Sequence, residues 1–273
     1  MILINGAADN RIEITDRSLH YGDGVFETIA HRNGQFEFLD SHLTRLLSGC
    51  KKLKINFQQL DELCVELKTI SEALAHDAVV KVIISRGQGG RGYLANKDIL
   101  PTRIISTHPY PNYPQSHQQQ GVAIRFCQHR LSENKLLAGL KHLNRLDQVL
   151  ARNEWDDHVF AEGLMLDQSG CVIEGTMTNI FIVKNGGLIT PLLDKSGVEG
   201  VMKAEIIKLA TQYNMNVEMA ELKKTDLERA DEIFVCNSVN GIWPVIHIDS
   251  IDNDYSVGLI TKQLQYGLLE MQK

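Results

Sequence analysis

The chain has 273 residues, 43% hydrophobic and 23% charged, enough apolar material for two ordinary domains or one large one. Its 28 basic and 34 acidic residues leave a net charge of −6, which argues against nucleic acid or an anionic membrane surface as the main partner. Five dispersed cysteines with no C-x-x-C pair read as reduced thiols in a cytoplasmic protein. The apolar run at residues 1–4 is too short for a secretion signal, and no stretch approaches the ~18 apolar residues of a membrane span.

Along the chain, three Asn-Gly pairs (Asn5-Gly6, Asn33-Gly34, Asn185-Gly186) sit between β-prone runs and predict hairpin turns, because both residues tolerate positive φ. Residues 25–31 and 35–39 flank the second pair as strands. Asp40 or Ser41 can cap a helix that places Leu43, Leu46, Leu47 and Cys50 on one face and Arg45 off it. A helix over 60–75 follows, then β-branched strands at 78–85, 103–107 and 122–127. Further helices are expected at 145–156, 200–213 and 257–271, with strands at 179–184 and 188–190. Strands and helices joined mostly by hairpins imply an α+β architecture rather than a doubly wound parallel sheet. Pro101, Pro109, Pro111 and Pro114, followed by the polar run 115–120, suit an extended linker. The expected division is therefore an N-terminal domain over 1–112, a linker over 113–120 and a C-terminal domain over 121–273.

Three features bear on chemistry. The run Gly87-Gln88-Gly89-Gly90-Arg91-Gly92-Tyr93 lacks the Gly-Lys-Ser/Thr ending of a phosphate loop. It reads either as a flexible connection or as a mobile loop offering the guanidinium groups of Arg86 and Arg91, with Tyr93, to carboxylates. Ten histidines show no metal-ligand spacing, so no metal site is expected. Lys141 stands alone within the apolar run Leu136-Leu137-Ala138-Gly139-Leu140-Lys141-His142-Leu143, where it is either a snorkelling side chain or an amine held for Schiff-base chemistry.

Downstream, Glu174-Gly175-Thr176-Met177-Thr178-Asn179-Ile180-Phe181, Leu188-Ile189-Thr190 and Val198-Glu199-Gly200-Val201-Met202-Lys203 together resemble the long signature of the fold-type IV pyridoxal-phosphate enzymes. The resemblance spans nearly the whole chain. It implies a smaller N-terminal α/β domain, a larger C-terminal domain with a β-barrel-like core that carries the Schiff-base lysine, and a homodimer. It also implies that Lys141 bonds the cofactor aldehyde and that Glu174 faces the pyridine nitrogen. Arg45, the N–H groups of Val201 and Met202, and Asn237-Ser238 would hold the cofactor phosphate. Within the family, Tyr21-Gly22-Asp23-Gly24-Val25-Phe26-Glu27-Thr28, the 85–93 loop and Gly139–Leu146 are most similar to the aminodeoxychorismate lyases. That subtype makes Thr28 catalytic, gives Arg91 and Tyr93 to the substrate 4-amino-4-deoxychorismate, and yields 4-aminobenzoate and pyruvate. Glu27 departs from the small hydroxyl residue of some lyases. An aminotransferase acting on D-amino or branched-chain amino acids is the alternative, with the same lysine and glutamate.

Overall fold

The computed structural model describes residues 1–156 and 159–271. The chain forms two compact units, Met1–Asn112 with Lys141–Asn144, and Tyr113–Leu140 with Arg145–Lys273. Fold class is as expected, an α+β chain whose larger sheet curls into a half-barrel.

In the first unit, strands β1 (Ile2–Ile4), β2 (Ala7–Ala8), β3 (Gly24–Arg32), β4 (Gln35–Phe36), β5 (Ala78–Ser85) and β6 (Thr102–Pro109) form an antiparallel sheet ordered β2-β1-β6-β5-β3-β4. The Asn5-Gly6 and Asn33-Gly34 hairpins form with positive φ at both residues. Helices α1 (Arg17–Tyr21), α2 (Leu39–Lys52) and α3 (Leu60–Ala73) complete the unit. Successive side chains of a strand point to opposite faces, so Val25, Glu27 and Ile29 share one face of β3 while Phe26 and Thr28 share the other. Val25 and Ile29 join Leu46 and Cys50 of α2 and Leu63 and Leu67 of α3 in one core. Each such fully buried aliphatic side chain contributes about 1.5–3 kcal/mol. Contrary to the expected cap, α2 starts after Phe38, which takes a left-handed φ of 51° and gives no side-chain cap bond. The short β4 delivers the chain to the helix through that turn, and Asp40 falls in the first turn, where the helix dipole favours it.

The second unit holds α4 (Ser116–Gln119), β7 (Val122–Arg130), α5 (Leu146–Arg152), β8 (Glu162–Leu166), β9 (Val172–Gly175), β10 (Asn179–Lys184), β11 (Gly187–Pro191), α6 (Val201–Gln212), β12 (Val217–Ala220), α7 (Lys224–Glu228), β13 (Glu232–Asn237), β14 (Gly241–Ile248) and α8 (Leu259–Met271). Its mixed sheet runs β12-β11-β10-β13-β14-β7-β8-β9, with parallel pairing at β11–β12, β14–β7 and β7–β8. The sheet curls until β9 meets the segment after β12, where Val172 N donates to Leu222 O at 2.7 Å. Ile124, Leu164, Ile182, Val235 and Val245 fill its interior.

Two boundaries differ from expectation. Residues 113–120 are not a linker but part of the second unit. The Tyr113 and His117 rings meet Trp243 edge-on at 4.9 Å, and Gln118 Nε2 donates to Asn240 O at 3.0 Å. Of the glutamines that suggest a free segment, Gln118 is tied down by this bond. Lys141–Asn144, expected with the C-terminal domain, packs in the first unit, because Phe26 N donates to Lys141 O and Leu143 N to Gly24 O, both at 3.0 Å. Helix α5 is also shorter than the expected 145–156, since the Glu154 carboxylate turns back to accept from the N–H groups of Gln128 and His129. Among the described residues, no helix is long and apolar enough to cross a membrane.

Candidate active site

The first unit brings Lys141 and Thr28 onto one sheet face. Residues 141–143 lie along the edge of β3, with Val25 and His142 bridged, and Lys141 Nζ sits 4.4 Å from the centroid of the Phe26 ring. Thr28, two residues on from Phe26 and half-buried, shares that face. Lys81, opposite Thr28 on β5, brings a second ammonium to within 5.2 Å of the same ring. Lys81 was not singled out from the sequence. Its one signal is a lone charge amid the β-branched run of 78–85.

Arg45 is held from the other face. Glu27, 1% exposed, accepts from Arg45 Nε at 2.8 Å, from Arg45 Nη2 at 2.5 Å and from His42 Nδ1 at 2.6 Å. Burial alone pushes the Glu27 carboxyl towards the neutral acid. The Arg45 and His42 hydrogen bonds and charges outweigh it and hold the group below the usual carboxylate range. Burial outweighs the neighbouring Glu27 carboxylate and holds the His42 pKa below its ordinary value. His42 Nε2 is buried without a hydrogen-bond partner.

The glycine-rich loop is pinned rather than loose. Arg86 forks onto Asp23 and donates to the carbonyls of Leu53 and Lys54, so its guanidinium is committed to structure. Arg17 donates to the carbonyls of Gly92 and Tyr93, each at 2.9 Å. Arg91 is exposed and Tyr93 is 88% exposed, with its ring 5.6 Å from that of Tyr21.

In the second unit Glu174, buried at the end of β9, accepts from Gln148 Nε2 at 3.1 Å and from Val198 N at 2.8 Å. Asn179 Nδ2 donates to Val198 O at 2.9 Å, and a Cβ at Gly200 would overlap the Asn179 side chain. Two of the signature's blocks are thus tied to each other. Gly200 caps α6 without a side-chain bond, which leaves the first-turn N–H groups of Val201 and Met202 outside the helix's own ladder. Asn237 Oδ1 accepts from the N–H groups of Val239 and Asn240, and its Nδ2 donates to Met177 O at 3.2 Å. Ser238 is half-buried on that turn.

Sequence reasoning missed the residue at the centre of this framework. Glu162, fully buried at the start of β8, accepts from the N–H groups of Gly163, Thr176 and Met177 and from the hydroxyls of Thr176 and Thr178. A carboxylate heading the apolar run Glu162-Gly163-Leu164-Met165-Leu166 was the available signal, since such a charge is buried only when amply hydrogen-bonded.

The sequence profile of the amino-transferase class IV family matches residues 24–248. The chain is 38% identical to aminodeoxychorismate lyase of Vibrio harveyi, across 98% of this chain and 99% of that one. It is 35% identical to a putative branched-chain-amino-acid aminotransferase of Methanocaldococcus jannaschii, across 94% and 90%. Among solved structures, the 4-amino-4-deoxychorismate lyase of Pseudomonas aeruginosa superposes with a TM-score of 0.95 at 44% identity, covering 99% of this chain and 98% of that one.

Proposed function

We propose that this chain, which belongs to the amino-transferase class IV family, is an aminodeoxychorismate lyase that uses pyridoxal phosphate to convert 4-amino-4-deoxychorismate into 4-aminobenzoate and pyruvate, as a step towards folate. The observation that carries the reading is the shared face of Phe26, Thr28 and Lys141, with a threonine where the lyase subtype has its hydroxyl. The near-full-length likeness to two lyases supports it.

The residues present suit the cofactor. A half-buried amine at Lys141 matches an aldehyde, and a buried carboxylate at Glu174, fixed by Gln148 and Val198, matches a ring nitrogen. Arg45, the uncapped start of α6 and Ser238 are donors of the kind a phosphate requires. Pyridoxal phosphate, when bound, supplies an aldehyde that captures amines and a ring that takes up an electron pair. In this reading Lys141 Nζ takes the proton from C4 of the substrate as general base. Glu174 keeps a proton on the ring nitrogen. Thr28 donates a hydrogen bond towards the enolpyruvyl oxygen that leaves C3, and loss of that group makes the substrate ring aromatic. Lys81 and, from its loop, Arg91 with Tyr93 recognise the substrate carboxylates.

A cytoplasmic homodimer belongs to the same proposal. Leu146, Val149 and Leu150 line one side of α5 and are at least half exposed, which suits burial against a second copy.

Incubating the purified protein with 4-amino-4-deoxychorismate and measuring 4-aminobenzoate and pyruvate tests the function. Equimolar products are expected. Transfer of an amino group from an amino acid to a 2-oxo acid, with no 4-aminobenzoate formed, would overturn it in favour of an aminotransferase.

A further inference from the structure

Glu27 has no part in the chemistry above, yet it is among the most deeply buried carboxylates of the first unit. It lies on the face of β3 opposite Phe26 and Thr28, so it is not one of the groups that stand beside the Phe26 ring with Lys141. Its two oxygens are instead filled by the Nε and Nη2 of Arg45 and by Nδ1 of His42. An arginine side chain has several freely rotating bonds. A two-point fork onto a buried carboxylate removes that freedom and fixes the plane of the guanidinium. His42 and Arg45 lie three residues apart on α2, so both reach the same carboxylate from one helix face. His42 is itself fully buried, which prevents the carboxylate from swinging towards solvent.

We infer that Glu27 is a positioning residue: with His42 as its buttress, it aims the Arg45 guanidinium at the phosphate of the bound cofactor. The inference rests on the reading of Arg45 as a phosphate ligand. Two opposing effects of Glu27 can be separated. Its negative charge repels a phosphate, so removing the charge alone would tighten cofactor binding. Its fork orders the arginine, so removing the fork loosens binding. Two charge-assisted hydrogen bonds to a buried acceptor outweigh a like-charge repulsion screened by the arginine between the two anions.

The test compares pyridoxal phosphate with pyridoxal, which lacks the phosphate, titrated into the full-length protein freed of cofactor and followed by cofactor absorbance. Glu27→Gln is expected to weaken pyridoxal phosphate about ten- to a hundredfold while leaving pyridoxal unchanged. Glu27→Asp keeps the charge but draws the guanidinium back, and is expected to weaken the phosphate form alone by a smaller factor. This second variant decides the matter should Glu27→Gln not fold. In an Arg45→Ala background, Glu27→Gln should have no further effect on the ratio of the two affinities. Unchanged or tighter binding of pyridoxal phosphate by folded Glu27 variants, or equal weakening of both ligands, would overturn the inference. Should Arg45→Ala leave the ratio of the two affinities as in the parent, the reading of Arg45 itself fails.

Discussion

The carboxylate of Glu162 occupies the space that any side chain at Gly175 would need. A Cβ there would press against Glu162 Oε2 and overlap the Thr178 hydroxyl, which itself donates to that carboxylate at 2.9 Å. The glycine and the two threonines that follow Glu174 are therefore three consequences of one buried acid. Gly175→Ala is expected to lower stability by about 1–3 kcal/mol through overpacking, read as a fall in the urea midpoint at unchanged slope.

Replacing the acid should cost more. Glu162→Leu leaves the N–H groups of Gly163 and Met177 and two hydroxyls without this acceptor, while Thr176 N keeps Gly163 O, and a loss of about 3–5 kcal/mol is expected. Because Met177 O receives Asn237 Nδ2, the turn bearing Ser238 should loosen with it, measured as faster amide exchange at residues 237–240.

In the proposed mechanism Lys81 serves recognition and Thr28 serves the chemistry, which two variants can separate. Lys81→Met should raise KM for 4-amino-4-deoxychorismate about ten- to a hundredfold with little change in kcat, as expected when a charged hydrogen bond is lost from ground and transition states alike. Thr28→Val should lower kcat about tenfold with cofactor still bound. Steady-state kinetics on both variants check the division.

The longer helices and the hairpins are legible because their signals are local, whereas the short α1, α4 and α7 are not. Asn-Gly pairs need only two residues to demand positive φ, and all three expected hairpins formed around them. Residues 78–85 form β5 to the residue because Val79, Val80, Val82, Ile83 and Ile84 make the run rich in β-branched side chains. What sequence could not supply was the second partner of each polar group. Gln118 reads as linker until Asn240 is folded beside it, and Glu162 reads as an ordinary strand residue until five donors converge on it. Arg86 reads from sequence, with Arg91, as a possible substrate ligand, but Asp23 and two carbonyls, of Leu53 and Lys54, claim it. Lys141 stands out locally as a lone cation in an apolar run, but only the family signature favours Schiff-base chemistry over snorkelling, and Glu174 stands out through that signature alone, because burial and second partners are not written in a residue's neighbours.

Acid sensitivity follows from the Glu27–His42 pair. The folded His42 pKa lies below its ordinary value, chiefly through burial, so the unfolded chain binds the proton first. Its contribution is present above the unfolded value of about 6.5 and is lost as pH falls through the folded value. Glu27 acts in the same direction at lower pH, its contribution being lost as pH falls below about 4.3. The melting temperature should therefore drop on acidification below about pH 6.5, and His42→Gln should flatten the upper part of that drop. A variant with the parental slope between pH 6.5 and 5 would assign the sensitivity elsewhere.

The pairing of residues 141–143 with β3 has a consequence for how the protein can be made. A fragment ending at Asn112 would contain every strand of the first sheet yet leave the outer edge of Gly24–Phe26 with open backbone donors and acceptors, an invitation to clumping. Sealing that edge and seating Lys141 beside the Phe26 ring are a single event, so the first unit is complete only once residues 141–143 are in place.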